Sequence, residues 1–268
     1  IGQEAKNALE KSRKIIAKSI NAKTHEIIFT SGGTESNNLA LKGLFFAYPE
    51  KNHIITTKIE HDCVLNSCKW LETQGEKITY LDVDKEGFVN PKDVENTITN
   101  KTLVVSVIHG NNEIGTIQDL EAIGKICKAK KVFFHTDACQ SYTKTELDVN
   151  KMNLDLVTLN SHKIHGPKGV GALYIRDGIK IYRLSYPKVK FLGLIFIWLQ
   201  LLRRFQLIKT SDIVHIHDVF IWYLPFKFLF PKKVVYTTFH GWEGKFPIPP
   251  KFKFLRKIAE KLSMGNIC

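Results

Sequence analysis

The chain has no apolar stretch long enough to span a bilayer, no paired cysteines and no internal repeat, and each absence removes a class of protein. The longest apolar run, Phe191 to Leu202, is too short for a membrane crossing and stops at Arg203-Arg204, so it reads as a buried or interfacial helix. The five cysteines, Cys63, Cys68, Cys127, Cys139 and Cys268, form no Cys-x-x-Cys pair and no Cys/His spacing of metal-ligand character. Buried free thiols in a reducing compartment are expected, and with no signal peptide in view they predict a cytoplasmic protein. With repeats and low-complexity tracts missing, the 268 residues read as an ordinary globular chain with room for a substantial core in one or two domains. Acidic residues are scarce in one region. Up to Ile181 lysine and arginine barely outnumber aspartate and glutamate, whereas nearly all of the net charge of +13 and most of the aromatic residues lie beyond it. That shift predicts two units, 1–181 and 182–268. The basic tail shows no nucleic-acid recognition motif, so no nucleic-acid partner is expected; a weak membrane-surface contact through 182–268 accounts better for its charge.

What is present concentrates near the middle. Val132-Phe133-Phe134-His135-Thr136-Asp137 is a largely apolar run ending in an acid, continued by Ala138-Cys139-Gln140. A second run ends in Asn160-Ser161-His162-Lys163 and is followed by the turn Gly166-Pro167-Lys168-Gly169. A pyridoxal phosphate (PLP) enzyme needs such a pair. The acid binds the pyridinium nitrogen, so that the ring stays protonated and draws electrons, and the lysine holds the aldehyde as a Schiff base. A buried, cation-flanked lysine loses its proton more readily, which makes it a usable nucleophile and proton shuttle. Taken singly, Asp137 would be a strand cap and Lys163 a solvated loop residue. The pair points to the cofactor.

Further pieces lie upstream. Glu26 to Thr30 reads as a short strand, and Ser31-Gly32-Gly33-Thr34-Glu35-Ser36-Asn37-Asn38 opens a helix over Leu39 to Tyr48. A glycine turn at a helix N-terminus offers free N–H groups and the positive end of the dipole to a phosphate. Ile54 to Thr57 ends near Glu60-His61-Asp62, and Leu103 to Ile108 ends in His109-Gly110-Asn111-Asn112. Helices are expected over Gln3–Ile20, His61–Gln74, Pro91–Thr99 and Leu120–Lys130, with a strand over Lys77–Val83. The alternation predicts an α/β fold, a mostly parallel sheet flanked by helices, with polar residues gathered past the carboxyl ends of the strands.

These motifs resemble the cysteine desulfurases, class V aminotransferases among the fold-type I PLP enzymes. The resemblance runs in order over about residues 1–181, through Phe29 to Asn38, Glu60-His61-Asp62, Asn111 to Gly115, His135 to Ser141 and Ser161-His162-Lys163. It implies the large domain of that fold, with Lys163, His61 and Asp137 carrying catalysis. Lys163 would carry the cofactor, Asp137 would meet the pyridinium nitrogen, and His61 would stack on the ring. Asn112 and Gln140 would lie near the ring hydroxyl, and Gly33, Thr34 and His162 at the phosphate. Asn160 stands where the family usually has a phosphate-binding serine, and its amide still donates a hydrogen bond. The activity implied is conversion of L-cysteine, or a related amino acid, to alanine with transfer of sulfur to an acceptor protein, with room for a homodimer. Selenocysteine lyase is the alternative within the family.

The family's sulfur-accepting cysteine lies on a mobile loop well beyond the lysine, and nothing after Lys163 resembles that loop; the family's opening segment is also missing. The domain is therefore expected to be incomplete at both ends. Residues 182–268 resemble the N-terminal, acceptor-side domain of family-4-type GT-B glycosyltransferases, a partial Rossmann-like segment, through Ser211-Asp212-Ile213-Val214-His215-Ile216-His217 and Thr237-Thr238-Phe239-His240-Gly241. No Pro/Gly/Ser-rich linker separates the halves, which predicts a chimeric joint near Ile181–Ser185 and makes an inactive fusion the alternative outside the family.

Overall fold

The computed structural model describes residues 2–179 and, beyond them, 192–203, 205–210, 213–217, 223–238, 257 and 265–267. The chain forms two compact units, Ile1–Ile181 and Tyr182–Cys268. The expected joint at Ile181–Ser185 lies outside the described residues.

The first unit opens with helix α1 (Gly2–Ser19), a 3-10 turn at Thr24–Glu26 and strand β1 (Ile27–Thr30). Then follow α2 (Gly33–Ala47), β2 (His53–Thr57), α3 (Asp62–Thr73), β3 (Lys77–Leu81), α4 (Pro91–Thr97), β4 (Thr102–Ser106), α5 (Leu120–Lys130) and β5 (Phe133–Asp137). Strand β6 (Leu156–Asn160), a 3-10 turn at Ser161–Ile164 and β7 (Gly171–Ile175) complete it.

The seven strands form one sheet in the order β1-β7-β6-β5-β4-β2-β3. Strands β6, β5, β4, β2 and β3 are mutually parallel. Strand β7 runs antiparallel to both β1 and β6, so β1 shares the direction of the parallel set. The α/β fold with a mostly parallel sheet between helices is the one expected, and it brings the carboxyl ends of β1, β2, β4, β5 and β6 to a single edge. Strand β7 was not expected. It follows the glycine turn directly, and by reversing direction it lets β1 join the sheet beside the lysine-bearing turn.

Alternation along the strands divides the core between the two faces of the sheet. Ile55, Val105, Phe134, Val157 and Tyr174 pack in one cluster with Val94 of α4 and Ile123 and Cys127 of α5. Ile54, Val104, Leu156 and Leu173 pack on the other face with Leu41 and Leu44 of α2 and Val64, Cys68 and Leu71 of α3. All of these side chains are buried. Helix α2 starts at Gly33, six residues ahead of its expected start, because Ser36 and Asn37 are buried polar residues that break the apolar period there.

Close packing fixes one glycine. A Cβ on Gly124 of α5 would lie 1.9 Å from the backbone oxygen of Met152. A backbone carbonyl cannot swing aside as a side chain can, so Gly124→Ala should destabilise the domain by about 1–3 kcal/mol. Thermal denaturation checks this, and an unchanged midpoint would contradict it.

In the second unit, α6 (Leu192–Arg203), α7 (Phe205–Thr210), β8 (Ile213–His217), α8 (Leu224–Leu229), β9 (Val234–Thr238) and β10 (Gly265–Ile267) are described. Its three strands are parallel, ordered β10-β9-β8, over a small core of Ile208, Tyr223, Phe226 and Val235. Ser211, Asp212 and the Phe239-His240-Gly241 end of the expected sugar-transfer motifs lie outside the described residues, as does Cys268. Among the described residues no helix is long and apolar enough to cross a membrane.

Candidate cofactor-binding site

The sheet edge collects the residues singled out from the sequence. Gly33 and Thr34 form the first turn of α2, just past β1; His61 caps α3 past β2; Asn112 follows β4; Asp137 ends β5; Gln140 follows it; Asn160 ends β6, and His162 and Lys163 lie in the 3-10 turn after it. Gly33 and Asp137 are buried, Gln140 and Asn160 half-buried, and Thr34, His61, Asn112, His162 and Lys163 exposed. A buried acid and glycine thus lie among solvent-facing donors, as a polar cofactor seated on a sheet edge requires.

Asp137 is held on both carboxyl oxygens. Its Oδ1 accepts the backbone N–H of Cys139 at 2.9 Å, and its Oδ2 accepts the Nδ2 of Asn37 at 2.7 Å. The Sγ of Cys63 lies 4.0 Å from the same Oδ2 and 3.0 Å from the Nδ1 of His61. That His61 nitrogen also accepts the N–H of Cys63 at 3.2 Å, so the ring caps its own helix and has a set orientation.

A second layer of polar contacts supports these residues from below. The ring of His135 bridges three strands, pairing Nδ1 with Ser106 Oγ at 2.8 Å and Nε2 with Thr158 Oγ1 at 3.1 Å. His109 Nδ1 pairs with Ser141 Oγ at 2.9 Å. Burial holds both imidazoles down at about 4, so they are neutral at physiological pH. Below the ordinary histidine value of 6.5 the unfolded chain takes up protons that the folded imidazoles refuse. The folded state is therefore favoured above pH 6.5 and loses ground as the pH falls towards 4, by up to about 1.4 kcal/mol per pH unit for each histidine. Burial raises the carboxyls of Glu60 to about 8 and Glu76 to about 7, and these act in the opposite sense over the same range, so the histidine part is read as a difference. In urea unfolding at a series of pH values the parent should lose stability more steeply, as the pH falls from 6.5 towards 4, than His135→Gln does. An equally steep fall in that variant would contradict the assignment.

The donor set fits PLP. The first turn of a helix leaves its N–H groups without intrahelical partners, which suits a phosphate, and α2 presents that turn at the edge. No Cβ stands in the way there: one on Gly33 would come within 2.7 Å of Cys139 Sγ and 3.4 Å of Asn160 Nδ2. The Nδ2 of Asn160 is the amide group nearest this turn and can donate to a phosphate, while its Oδ1, an acceptor, is buried without a hydrogen-bond partner. In the same turn the carboxylate of Glu35 accepts from the backbone N–H and the hydroxyl of Ser31, each at 2.6 Å.

Residues 1–192 match the aminotransferase class-V family model. The chain belongs to the class V aminotransferase family. Cysteine desulfurase IscS of Clostridium botulinum (strain Kyoto / Type A2) is 51% identical over 184 residues, 68% of this chain and 46% of the relative. IscS of Rickettsia massiliae is 54% identical over 176 residues, 65% of this chain and 43% of the relative. The chain spans about half the length of the curated relatives it matches. Among solved structures, SspA in complex with cysteine superposes with a TM-score of 0.66 at 44% identity, covering 72% of this chain and 56% of that one. A NifS-like protein gives the same TM-score at 39% identity, over 72% of this chain and 53% of that one. The class V match ends at residue 192, and none of these likenesses supports the glycosyltransferase resemblance of the basic third.

Two residues with a part in the site were not singled out from the sequence. Asn37 and Glu60 both stand inside the recognised motifs, but the groups they bond come from distant segments.

Proposed function

We propose that residues 1–181 bind PLP and act on L-cysteine as a cysteine desulfurase does, releasing alanine and passing the sulfur on to an acceptor. The observation that carries the reading is the buried Asp137, bonded by Asn37 and framed by the turns that bear His61 and Lys163 at one sheet edge. When bound, PLP supplies an electron-withdrawing ring conjugated to the substrate amine. Lys163 would hold the cofactor and, once freed by the substrate, move a proton at its Nζ. His61 would press a flat imidazole on the ring, and Asp137 would keep the ring nitrogen protonated. Asn112 and Gln140 would bond the ring hydroxyl, and Gly33, Thr34, Asn160 and His162 would donate to the phosphate. The cysteine bound to SspA and the IscS relatives support the choice of substrate.

Taking the sulfur needs a thiolate, and the described thiols are poor ones. Burial pushes Cys63 up to about 11 and Cys68 and Cys127 to about 12, and it raises Cys139 further. Within these 268 residues, sulfide release should therefore be slow even with PLP bound. The test adds PLP to the purified chain, follows its absorbance on addition of L-cysteine, and measures alanine and sulfide with a reductant present. No cofactor uptake would reject the reading. Sulfide release approaching that of a full-length cysteine desulfurase, and lost on Cys139→Ala or Cys268→Ala, would show that a thiol of this chain takes the sulfur after all.

We read the basic part of the chain as a unit of separate origin, on the strength of the charge shift after Ile181 and of the class V match, which stops at residue 192. The glycosyltransferase resemblance expected for it is not supported by the relatives found, and no activity is assigned to it.

A further inference from the structure

Glu60 is a buried acid to which the proposed chemistry gives no task. It stands between β2 and α3, directly before His61, and is 6% exposed. Its Oε1 accepts the hydroxyl of Thr57 at 2.8 Å and the backbone N–H of Ile108 at 2.7 Å, while its Oε2 is buried without a hydrogen-bond partner. Burial pushes the carboxyl up to about 8, and the charge of Asp137 adds to the rise, so Glu60 keeps its proton at neutral pH. An uncharged carboxyl thus joins the end of β2 to the segment that follows β4. A second tie runs beside it, Asn111 Nδ2 donating to the backbone oxygen of Ile59 at 3.0 Å. His61 and Asn112 are the residues next in sequence to these two ties.

We infer that Glu60 is a positioning residue: it locks the turn 57–61 to the segment 108–112, so that His61 and Asn112 keep a fixed spacing at the cofactor edge. Packing alone does not call for an acid at this place. An apolar side chain of similar volume would fill the space without burying an unpaired oxygen, but it would accept neither the Thr57 hydroxyl nor the Ile108 N–H. The residue retained is the one that bonds both segments. This inference deepens the PLP reading and rests on it for the choice of the two residues held.

The test uses the full 268-residue chain and three variants, Glu60→Ala, Glu60→Gln and Thr57→Val. Amide hydrogen exchange is measured without cofactor, and PLP affinity is measured by titration. Glu60→Ala removes both bonds, and it should speed exchange in both 57–62 and 107–112 and weaken PLP by roughly tenfold as His61 and Asn112 lose their fixed spacing. Exchange in β5 and β6 should not change, which separates a local clamp from general loss of structure. Glu60→Gln is an uncharged isostere whose amide oxygen still accepts both bonds, and it should restore both properties. If Glu60→Ala does not fold, Thr57→Val removes one of the two donors and should show a smaller change in the same two segments. Unchanged exchange in these variants would overturn the inference, as would faster exchange with undiminished PLP affinity. If the parent takes up no PLP, the cofactor reading fails, and the exchange pattern alone still decides whether Glu60 is the clamp.

Discussion

Lys163→Ala should abolish all borohydride-stable attachment of PLP to the chain. Lys163 lies in the 3-10 turn that continues β6, exposed at the edge where β1, β2, β4 and β5 also end. Strand β6 pairs in parallel with β5, so the turn that bears Lys163 follows the same sheet edge at which Asp137 ends β5. A lysine that carries an aldehyde cofactor contributes a covalent bond that alanine cannot make. The expected effect is therefore all or none. The parent should give a fluorescent, reduced product on a denaturing gel, and the variant none. Labelling of the variant as strong as that of the parent would mean that another lysine carries PLP.

The second large effect concerns Asp137. Its carboxyl is buried and oriented by Asn37 at 2.7 Å, so one of its oxygens has a fixed direction before any ligand arrives. A charge-assisted hydrogen bond to a protonated ring nitrogen is worth about 1.5–3 kcal/mol, which corresponds to a loss of roughly 10- to 150-fold in cofactor affinity for Asp137→Ala. Attachment through Lys163 should persist in that variant at high PLP concentration, because the amine is untouched. Unchanged affinity would reduce Asp137 to a strand-end cap for the N–H of Cys139, the local role that its Oδ1 already fills.

Much of this arrangement was legible in the sequence, for reasons that differ by element. Helix α5 has the bounds expected for it, Leu120–Lys130, because its apolar period is regular and Asp119 caps the N–H of Ala122 at 3.0 Å. The strand ends were legible because polar residues there interrupt apolar runs. The start of α2 was not, since its first turns carry buried polar residues in place of the apolar ones that mark a helix face. Strand β7 escaped because its Gly171 continues a turn already dense in glycine. Asn37 and Glu60 escaped for a deeper reason. Asn37 bonds an acid 100 residues away and Glu60 an amide 48 residues away, so the physical ground for each polar residue exists only once the sheet has assembled.

If PLP is held through Lys163, mass-spectrometric mapping of the borohydride-reduced protein will find it there. The peptide that contains Lys163 should carry the mass of one reduced cofactor, with none on Lys168. A cofactor mass on Lys168, or label spread over surface lysines with Lys163 unmodified, would contradict it.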